Sequence, residues 1–212
     1  MSKSVTILGA TGSIGTSALD LIERDLGGFT VSAVTAASNV AGLAAIARRT
    51  KARLAVIAED RLLPELTERL AGSDCRAAAG DQALSEAASG EADLVIAAIV
   101  GCAGLKPAMA AVEAGRTVAL ANKEALVTAG ALMTEAASRA SATILPIDSE
   151  HNAIFQCISG ARLEDVSRII LTASGGPFRT SSAAAIRSAT PRQAVAIPLG
   201  RWGRKSRSIR RR

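Results

Sequence analysis

Three glycines at positions 9, 12 and 15 constrain the fold of this chain more than any other feature. They follow the apolar run Val5–Leu8, whose β-branched and leucine side chains are typical of a buried parallel strand. Helical spacing continues through Ser17–Ile22. A strand, a glycine turn and a helix in this order predict a phosphate-binding turn, because the glycines let the backbone approach a pyrophosphate at the helix N-terminus. We therefore expect nucleotide binding.

Strand and helix patterns alternate along the rest of the chain. The runs that predict strands are Val5–Leu8, Phe29–Val34, Leu54–Ala58, Leu94–Val100, Arg116–Ala121, Thr143–Ile147 and Ser167–Thr172. The runs that predict helices include Val40–Thr50, Arg61–Leu70, Gln82–Ala88, Ala125–Ala140 and Ala153–Ser159. This alternation predicts an α/β fold, a Rossmann-like doubly wound parallel sheet followed by the beginning of an α/β catalytic domain. We expect a nucleotide-binding domain over residues 1–147, an incomplete catalytic domain over 148–196 and a basic tail over 197–212.

The residues after the second predicted strand bear on the type of dinucleotide. An NAD-specific site usually has an acidic residue there, to bind the ribose 2′-hydroxyl. The segment Thr35–Asn39 has none, and Arg48 and Arg49 follow one helix later. This pattern favours NADP, although the two arginines are also compatible with an ordinary solvated helix surface.

Asp148 and Glu150 lie two residues apart at the end of a predicted strand. In extended backbone, residues i and i+2 point to the same side, so both carboxylates can meet one hard cation such as Mg²⁺ or Mn²⁺. Two solvated loop acids are the alternative, which the pattern alone favours. His151 is the single histidine, and we expect it to point away from the acids at a turn or helix start.

Two further polar segments are candidates for ligand contacts. Asn122–Glu124 could present an amide, an ammonium and a carboxylate at a strand end, or it could be a polar helix start. Ser174–Gly176 offers a hydroxyl and backbone N–H groups that suit a phosphate or an oxyanion, or it could be an ordinary glycine turn.

Charge and cysteine content exclude several protein classes. The net charge is +6, but seven basic residues and no acidic residue fall within 198–212, and the remainder has 18 basic and 19 acidic side chains. Three widely spaced cysteines indicate a reducing compartment rather than a disulfide framework. No apolar stretch approaches the roughly 20 residues of a membrane span, and no signal-peptide pattern opens the sequence. We expect a cytoplasmic protein that binds no membrane.

Five segments together resemble the 1-deoxy-D-xylulose 5-phosphate reductoisomerase family. They are ILGATGSIG (Ile7–Gly15), AAIVGCAGL (Ala97–Leu105), ALANKEALV (Ala119–Val127), PIDSEHNAIFQ (Pro146–Gln156) and LTASGGPFR (Leu171–Arg179). The likeness extends from Val5 to about Ala196. It implies an NADPH-dependent enzyme of isoprenoid precursor synthesis. With Mn²⁺ or Mg²⁺, such an enzyme converts the phosphosugar 1-deoxy-D-xylulose 5-phosphate to 2-C-methyl-D-erythritol 4-phosphate.

The resemblance also implies roles for individual residues. Those that would bind NADPH are Thr11, Gly12, Ser13, Ile14, Ser38, Asn39, Asn122 and Glu124. The family often has a basic residue at the position of Ser38. Those that would contact the substrate are Lys123, Ser149, Glu150 and Ser174. Asp148 and Glu150 would bind the metal, and together with Lys123 they form the implied catalytic set. The usual state of the family is a homodimer.

The resemblance changes after Thr190-Pro191. The family continues with a pattern like His-Pro-x-Trp-Ser-Met-Gly-x-Lys-Ile-Ser-Ile-Asp-Ser-Ala-Thr, whereas this chain has the basic segment Ile197–Arg212. Codons for that segment can be chosen so that reading them one base earlier gives the family pattern. We therefore hypothesise that residues 197–212 are a frameshift product. The alternative is a basic arm that binds nucleic acid electrostatically. The gene sequence around Ala196 distinguishes the two.

The change at residue 197 also bears on activity. In the family, a third metal carboxylate and the residues for the substrate phosphate come later in the chain. Two metal ligands without the remaining contacts should bind metal weakly and leave the substrate poorly positioned. We therefore expect little or no turnover from this chain, with NADPH binding retained; a complete enzyme is the alternative.

Overall fold

The computed structural model describes residues 2–25, 27–171 and 176–194. Its contacts divide the chain into two compact units, Met1–Ser159 and Gly160–Arg212. The division falls after Ser159, so helix Ser149–Ile158 groups with the first unit. The boundary between a nucleotide-binding and a catalytic domain that we predicted near Ile147 stays a proposal. Ser174 and the basic tail lie outside the described residues.

The first unit contains one sheet of seven parallel strands in the order β4-β3-β2-β1-β5-β6-β7. The strands are β1 (Lys3–Leu8), β2 (Phe29–Ala36), β3 (Leu54–Ile57), β4 (Arg76–Ala79), β5 (Leu94–Ala97), β6 (Thr117–Leu120) and β7 (Thr143–Pro146). The chain moves outward from β1 to one edge and then returns to build the other half. This order confirms the predicted Rossmann-like doubly wound sheet.

Helices cover both faces of the sheet. They are α1 (Ser13–Arg24), α2 (Val40–Thr50), α3 (Leu63–Leu70), α4 (Gly80–Ser89), α5 (Leu105–Glu113), α6 (Lys123–Ala140) and α7 (Ser149–Ile158). Alternate residues of β1 separate two cores: Val5 and Ile7 pack in one cluster with α1, α2 and α3, whereas Leu8 packs in another with α5 and α6. The second unit contains α8 (Ala183–Arg187) and α9 (Pro191–Ala194).

Three predicted segments differ from the structure. Residues 76–79, which are absent from the predicted strands, form edge strand β4. Helix α7 begins at Ser149 rather than Ala153, because Asp148 is its extended N-cap residue and the four polar residues before Ala153 are helical. The predicted strand Ser167–Thr172 is wrong over the described residues 167–171, which have no regular secondary structure.

The sheet positions the candidate site at the carboxyl ends of its strands. Strands β2 to β4 extend to one side of β1, and strands β5 to β7 extend to the other, so the strand order reverses at β1. In open α/β sheets, ligands bind in the crevice at such a switch point. None of the helices in the described part of the chain is long and apolar enough to cross a membrane.

Candidate functional site

Gly9 makes the sharp turn that ends β1. Its φ of +81° lies in the left-handed region, which side chains with a Cβ rarely adopt. A Cβ there would also lie 2.9 Å from the Ala98 carbonyl oxygen, just beyond β5. The Gly9 N–H donates to Oγ1 of Thr35 at 2.9 Å. The turn is thereby bonded to the end of β2 and packed against the end of β5.

Gly15 lets helix α1 pack directly against this turn. A Cβ at Gly15 would lie 2.7 Å from Cα of Ala10 and would overlap the Gly9 carbonyl oxygen. Gly12 is the exposed N-cap residue of α1, and the helical bonds begin with Thr16 N–H donating to Gly12 O at 2.9 Å. The N–H groups of the first helical turn therefore have no acceptor within the helix, and with the helix dipole they attract an anion.

The four residues expected at the pyrophosphate all belong to this turn. Thr11 is half-buried, whereas Gly12, Ser13 and Ile14 are exposed at the start of α1. The arrangement agrees with the order of strand, turn and helix that the sequence predicted. Thr35, which fixes Gly9 from the neighbouring strand, is the contributor that sequence reasoning missed.

Ser38 and Asn39 connect β2 to α2, and both are exposed. Asn39 is the N-cap residue of α2, where its Oδ1 accepts from the Gly42 N–H at 2.9 Å. Its side chain also borders a cavity of about 390 Å³ between α1 and α2, which Thr11 lines as well. The amide group of Asn39 therefore already has a structural partner at its oxygen.

The two arginines that favoured NADP differ in position. Arg48 donates from Nε to Arg69 O at 2.9 Å and from Nη2 to Ala71 O at 2.6 Å, at the end of α3. Arg49 donates from Nε to Glu23 Oε1 at 2.5 Å and lines the cavity between α1 and α2. Arg48 thus stabilises a helix end, and Arg49, in the last turn of α2, lies at the opposite end of that helix from Asn39.

An apolar cavity of about 320 Å³ lies near the ends of β2, β3 and β5. Its lining includes Ala36, Ala37, Ala58, Ile99, Cys102 and Lys106. Flat aromatic ligand groups fit cavities of this character. Sequence reasoning missed this feature, because apolar residues from three separate strand ends give no local signal.

Asn122 is 4% exposed and is the N-cap residue of α6. Its Oδ1 accepts from the Ala125 N–H at 3.2 Å, while its Nδ2 donates to the Gly101 carbonyl oxygen at 2.8 Å. The side chain therefore joins the start of α6 to the loop after β5. Glu124 is exposed in the first turn of the same helix.

Asp148 is the centre of a charged cluster beside α7. Nζ of Lys123 lies 3.1 Å from its Oδ2, and Nδ1 of His151 lies 3.4 Å from its Oδ1. Our expectation that His151 points away from the acids is wrong, since the first turn of α7 brings its ring back toward the N-cap carboxylate. Of the two alternatives for its backbone, a turn or a helix start, the structure has His151 in the first turn of α7.

The charges in this cluster shift two pKa values in opposite directions. Burial acts to raise the pKa of the Asp148 carboxyl, but the hydrogen bond and charge of Lys123, with the charge and backbone N–H of His151, lower it overall. The hydrogen bond to Asp148 and its charge raise the pKa of Lys123, with smaller contributions from Glu150 and Glu124. Three carboxylates therefore act on one ammonium group.

Glu150 is exposed in the first turn of α7, and its Oε2 accepts from the Ser149 hydroxyl at 2.8 Å. Our argument from extended geometry is wrong, because Glu150 is helical and only Asp148 is extended. The described residues contain no group of three or more histidine, cysteine, aspartate or glutamate side chains that could hold a metal. The oxygen-rich donor set nevertheless has the chemistry that Mg²⁺ and Mn²⁺ prefer.

Comparison with known proteins gives a consistent result. The family model of 1-deoxy-D-xylulose 5-phosphate reductoisomerase matches residues 5–130, and the model of its C-terminal domain matches residues 144–208. The reductoisomerase of Zymomonas mobilis is 56% identical over 203 residues, which are 96% of this chain and 52% of that protein.

Two solved reductoisomerase structures share the fold. The Zymomonas mobilis enzyme in complex with NADPH has a TM-score of 0.83 and 57% identity, over 92% of this chain and 52% of that one. A complex with NADPH, fosmidomycin and magnesium has a TM-score of 0.77 and 40% identity, over 92% and 51%. The chain spans about half the length of the relatives it matches. It belongs to the 1-deoxy-D-xylulose 5-phosphate reductoisomerase family.

Proposed function

We propose that this chain binds NADPH at the carboxyl edge of its sheet and carries residues for the reductoisomerase reaction. In that reaction, 1-deoxy-D-xylulose 5-phosphate is rearranged and reduced to 2-C-methyl-D-erythritol 4-phosphate. The observation that carries the proposal is the glycine turn packed between Thr35 and Ala98. Family membership supports the same chemistry.

The residues present fit NADPH. The exposed first turn of α1 offers N–H groups to the pyrophosphate, and Gly12 leaves room for its close approach. The apolar cavity near Ala36 and Ile99 suits the adenine ring. Ser38 and Asn39 are exposed between the end of β2 and the start of α2, which supports a role for both in binding the 2′-phosphate. When bound, the cofactor supplies a hydride.

The cluster at Asp148 supports the metal and substrate roles. Asp148 and Glu150 would provide carboxylate oxygens to Mn²⁺ or Mg²⁺, which would polarise the substrate oxygens. Lys123 and the hydroxyl of Ser149 would contact the polar substrate from the same side. Asn122, whose side chain is already bonded at both polar atoms, would position the neighbouring Lys123 and Glu124 rather than bind a ligand strongly. A contact between Ser174 and the substrate stays a prediction.

A second candidate function is NADPH binding without turnover. It is favoured by the small donor set, since the metal-ligand candidates among the described residues are Asp148 and Glu150, with no third protein ligand beside them. A cation held by few protein oxygens is weakly bound and leaves the substrate less well oriented.

One experiment distinguishes the two functions. NADPH binding is measured by the fluorescence of the reduced nicotinamide, and turnover by loss of absorbance at about 340 nm with substrate and Mn²⁺. Saturable binding with substrate-dependent oxidation at rates typical of the family supports the enzyme. Binding without oxidation supports the second candidate, which is the outcome we expect. A folded protein that does not bind NADPH contradicts both.

Three further expectations stay proposals. A homodimer is the usual state of the family, and sedimentation of the purified chain tests it here. The absence of nucleic-acid binding is tested by salt-sensitive retention on DNA with and without residues 198–212. A cytoplasmic location fits the substrate and cofactor, and cell fractionation tests it.

A further inference from the structure

The charged cluster of Lys123, Asp148, Glu150 and His151, called the corner from here on, contains a cation supplied by the protein itself. The ammonium of Lys123, the first residue of α6, lies 3.1 Å from Oδ2 of Asp148, the N-cap residue of α7, 25 positions away in the chain. The Asp148 side chain is 14% exposed, whereas 56% of the Lys123 side chain is exposed. The carboxylate is therefore largely fixed in the fold, and its cationic partner reaches it from the solvent side.

The carboxylates near this ammonium give it a negative environment. Besides Asp148, the carboxylates of Glu150 and Glu124 act on it electrostatically. The position thus attracts a cation with or without Lys123. An ammonium group has three donors and no lone pair, so it cannot bind a metal ion alongside the carboxylate. Its positive charge also repels the metal ion.

We propose that Lys123 is an exchangeable counter-ion of Asp148, which a divalent cation must displace in order to bind there. The inference rests on the proposed metal role of Asp148 and deepens it. The exchange is physically reasonable because a lysine ammonium is a hydrated point charge on a long, mobile stem, whereas Mg²⁺ or Mn²⁺ brings twice the charge to carboxylate oxygens at shorter distance.

The exchange has a consequence for substrate binding. Once displaced, the ammonium of Lys123 has lost its main partner in this corner and can donate to an oxygen of an anionic or polyhydroxy substrate. The same side chain therefore neutralises Asp148 before the metal binds and becomes a substrate contact afterwards. Metal binding would precede productive substrate binding for this reason.

The test is a Mn²⁺ titration of the full chain, followed by the electron paramagnetic resonance signal of free Mn²⁺. The variants are Lys123→Gln, which removes the competing charge, Lys123→Arg, which keeps it, and Asp148→Asn. Lys3→Gln is a matched control for net charge, because Lys3 begins β1 at the opposite edge of the sheet. Circular dichroism confirms folding of each variant.

We expect Lys123→Gln to tighten Mn²⁺ binding by about three- to tenfold, the range for removing one nearby charge at a solvated surface. Lys123→Arg and Lys3→Gln should stay within about twofold of the parent chain, and Asp148→Asn should abolish the binding. Equal affinity of Lys123→Gln and the parent, with binding still dependent on Asp148, overturns the exchange alone. No Asp148-dependent binding in either protein overturns the proposed metal role as well.

Discussion

The glycine turn at Gly9–Gly15 and the charged corner at Asp148–His151 are both at strand ends of one unit, but they are built differently. The turn is fixed by backbone: Gly9 contacts the chain after β5, and Gly15 brings α1 against Ala10. The corner is fixed by exposed charged side chains around Asp148. Close backbone packing gives a preformed site, whereas ion pairs at a surface give a site whose partners can exchange.

The difference shows in what each region tolerates. At Gly9 and Gly15 an added methyl group meets backbone atoms, which cannot move without shifting a strand or helix. At Lys123 and Glu150 a side chain can change without disturbing a core, because both are exposed. Substitutions of Gly9 or Gly15 should therefore lower stability and NADPH binding together, whereas substitutions in the corner should change metal binding with only a small effect on stability.

The largest effect is expected from Gly15→Ala. Alanine favours a helix by about 1 kcal/mol over glycine, but the overlap with Ala10 and the Gly9 carbonyl should outweigh this and lower the free energy of unfolding by about 1–3 kcal/mol. Urea unfolding measures it. In the matched control Gly130→Ala, the new methyl group meets nothing within 4 Å, but Gly130 follows Ala129, whose non-helical backbone kinks α6, so stability should change by less than about 0.5 kcal/mol. Equal effects of the two substitutions would contradict the packing argument.

Asn39→Asp should have an intermediate effect, confined to the cofactor. Aspartate keeps the N-cap of α2 but adds a negative charge beside the proposed 2′-phosphate position. We expect NADPH to bind about tenfold more weakly and NADH to be nearly unaffected. Fluorescence titration with both nucleotides measures this.

The control for this variant is Asn39→Ala, which removes the cap and should cost about 1 kcal/mol of stability without adding charge. If Asn39→Asp weakens NADH and NADPH equally, the 2′-phosphate does not lie near residue 39.

The smallest effect is the pH dependence of the Lys123–Asp148 pair. The lowered pKa of Asp148 means that its contribution to stability is present above the usual carboxyl pKa and is lost as the pH falls through the lowered value. The raised pKa of Lys123 means that its contribution is present below the usual lysine pKa and is lost as the pH rises through the raised value.

Asp148→Asn tests this dependence in the presence of EDTA. The variant should be less stable than the parent by about 0.2–1 kcal/mol near pH 7, because the pair is exposed on its lysine side. The gap should close as the pH falls from the usual carboxyl range through the lowered pKa of Asp148, because the parent carboxyl then becomes protonated. Urea unfolding over a series of decreasing pH values measures it, and a gap that does not depend on pH would show that the pair contributes through shape rather than charge.

The sequence predicted the turn well and the corner less well, for a physical reason. The turn depends on local order, because an apolar strand, three spaced glycines and a helix are all visible within Val5–Ile22. The whole of α2 was predicted to the residue for a similar reason, since Asn39 precedes a regular apolar pattern.

The corner depends on contacts distant in sequence. Lys123 and Asp148 are 25 residues apart, and no local pattern indicates that they meet. The start of α7 was also missed, because Ser149–Asn152 is polar and resembles a loop, whereas its first turn is capped by Asp148. Residues 167–171 have the composition of a strand, but a strand also needs a partner, which sequence alone does not reveal.

The most direct test of the central claim, that the glycine turn binds the pyrophosphate of NADPH, is a fluorescence titration of the parent chain, Gly12→Asn and Gly12→Asp. Both side chains can cap α1, so both variants should fold, but aspartate places a charge where the pyrophosphate would lie. We expect saturable binding by the parent chain, and binding by Gly12→Asp at least about tenfold weaker than by Gly12→Asn. Equal binding by the two variants, or no binding by a folded parent chain, would contradict the claim.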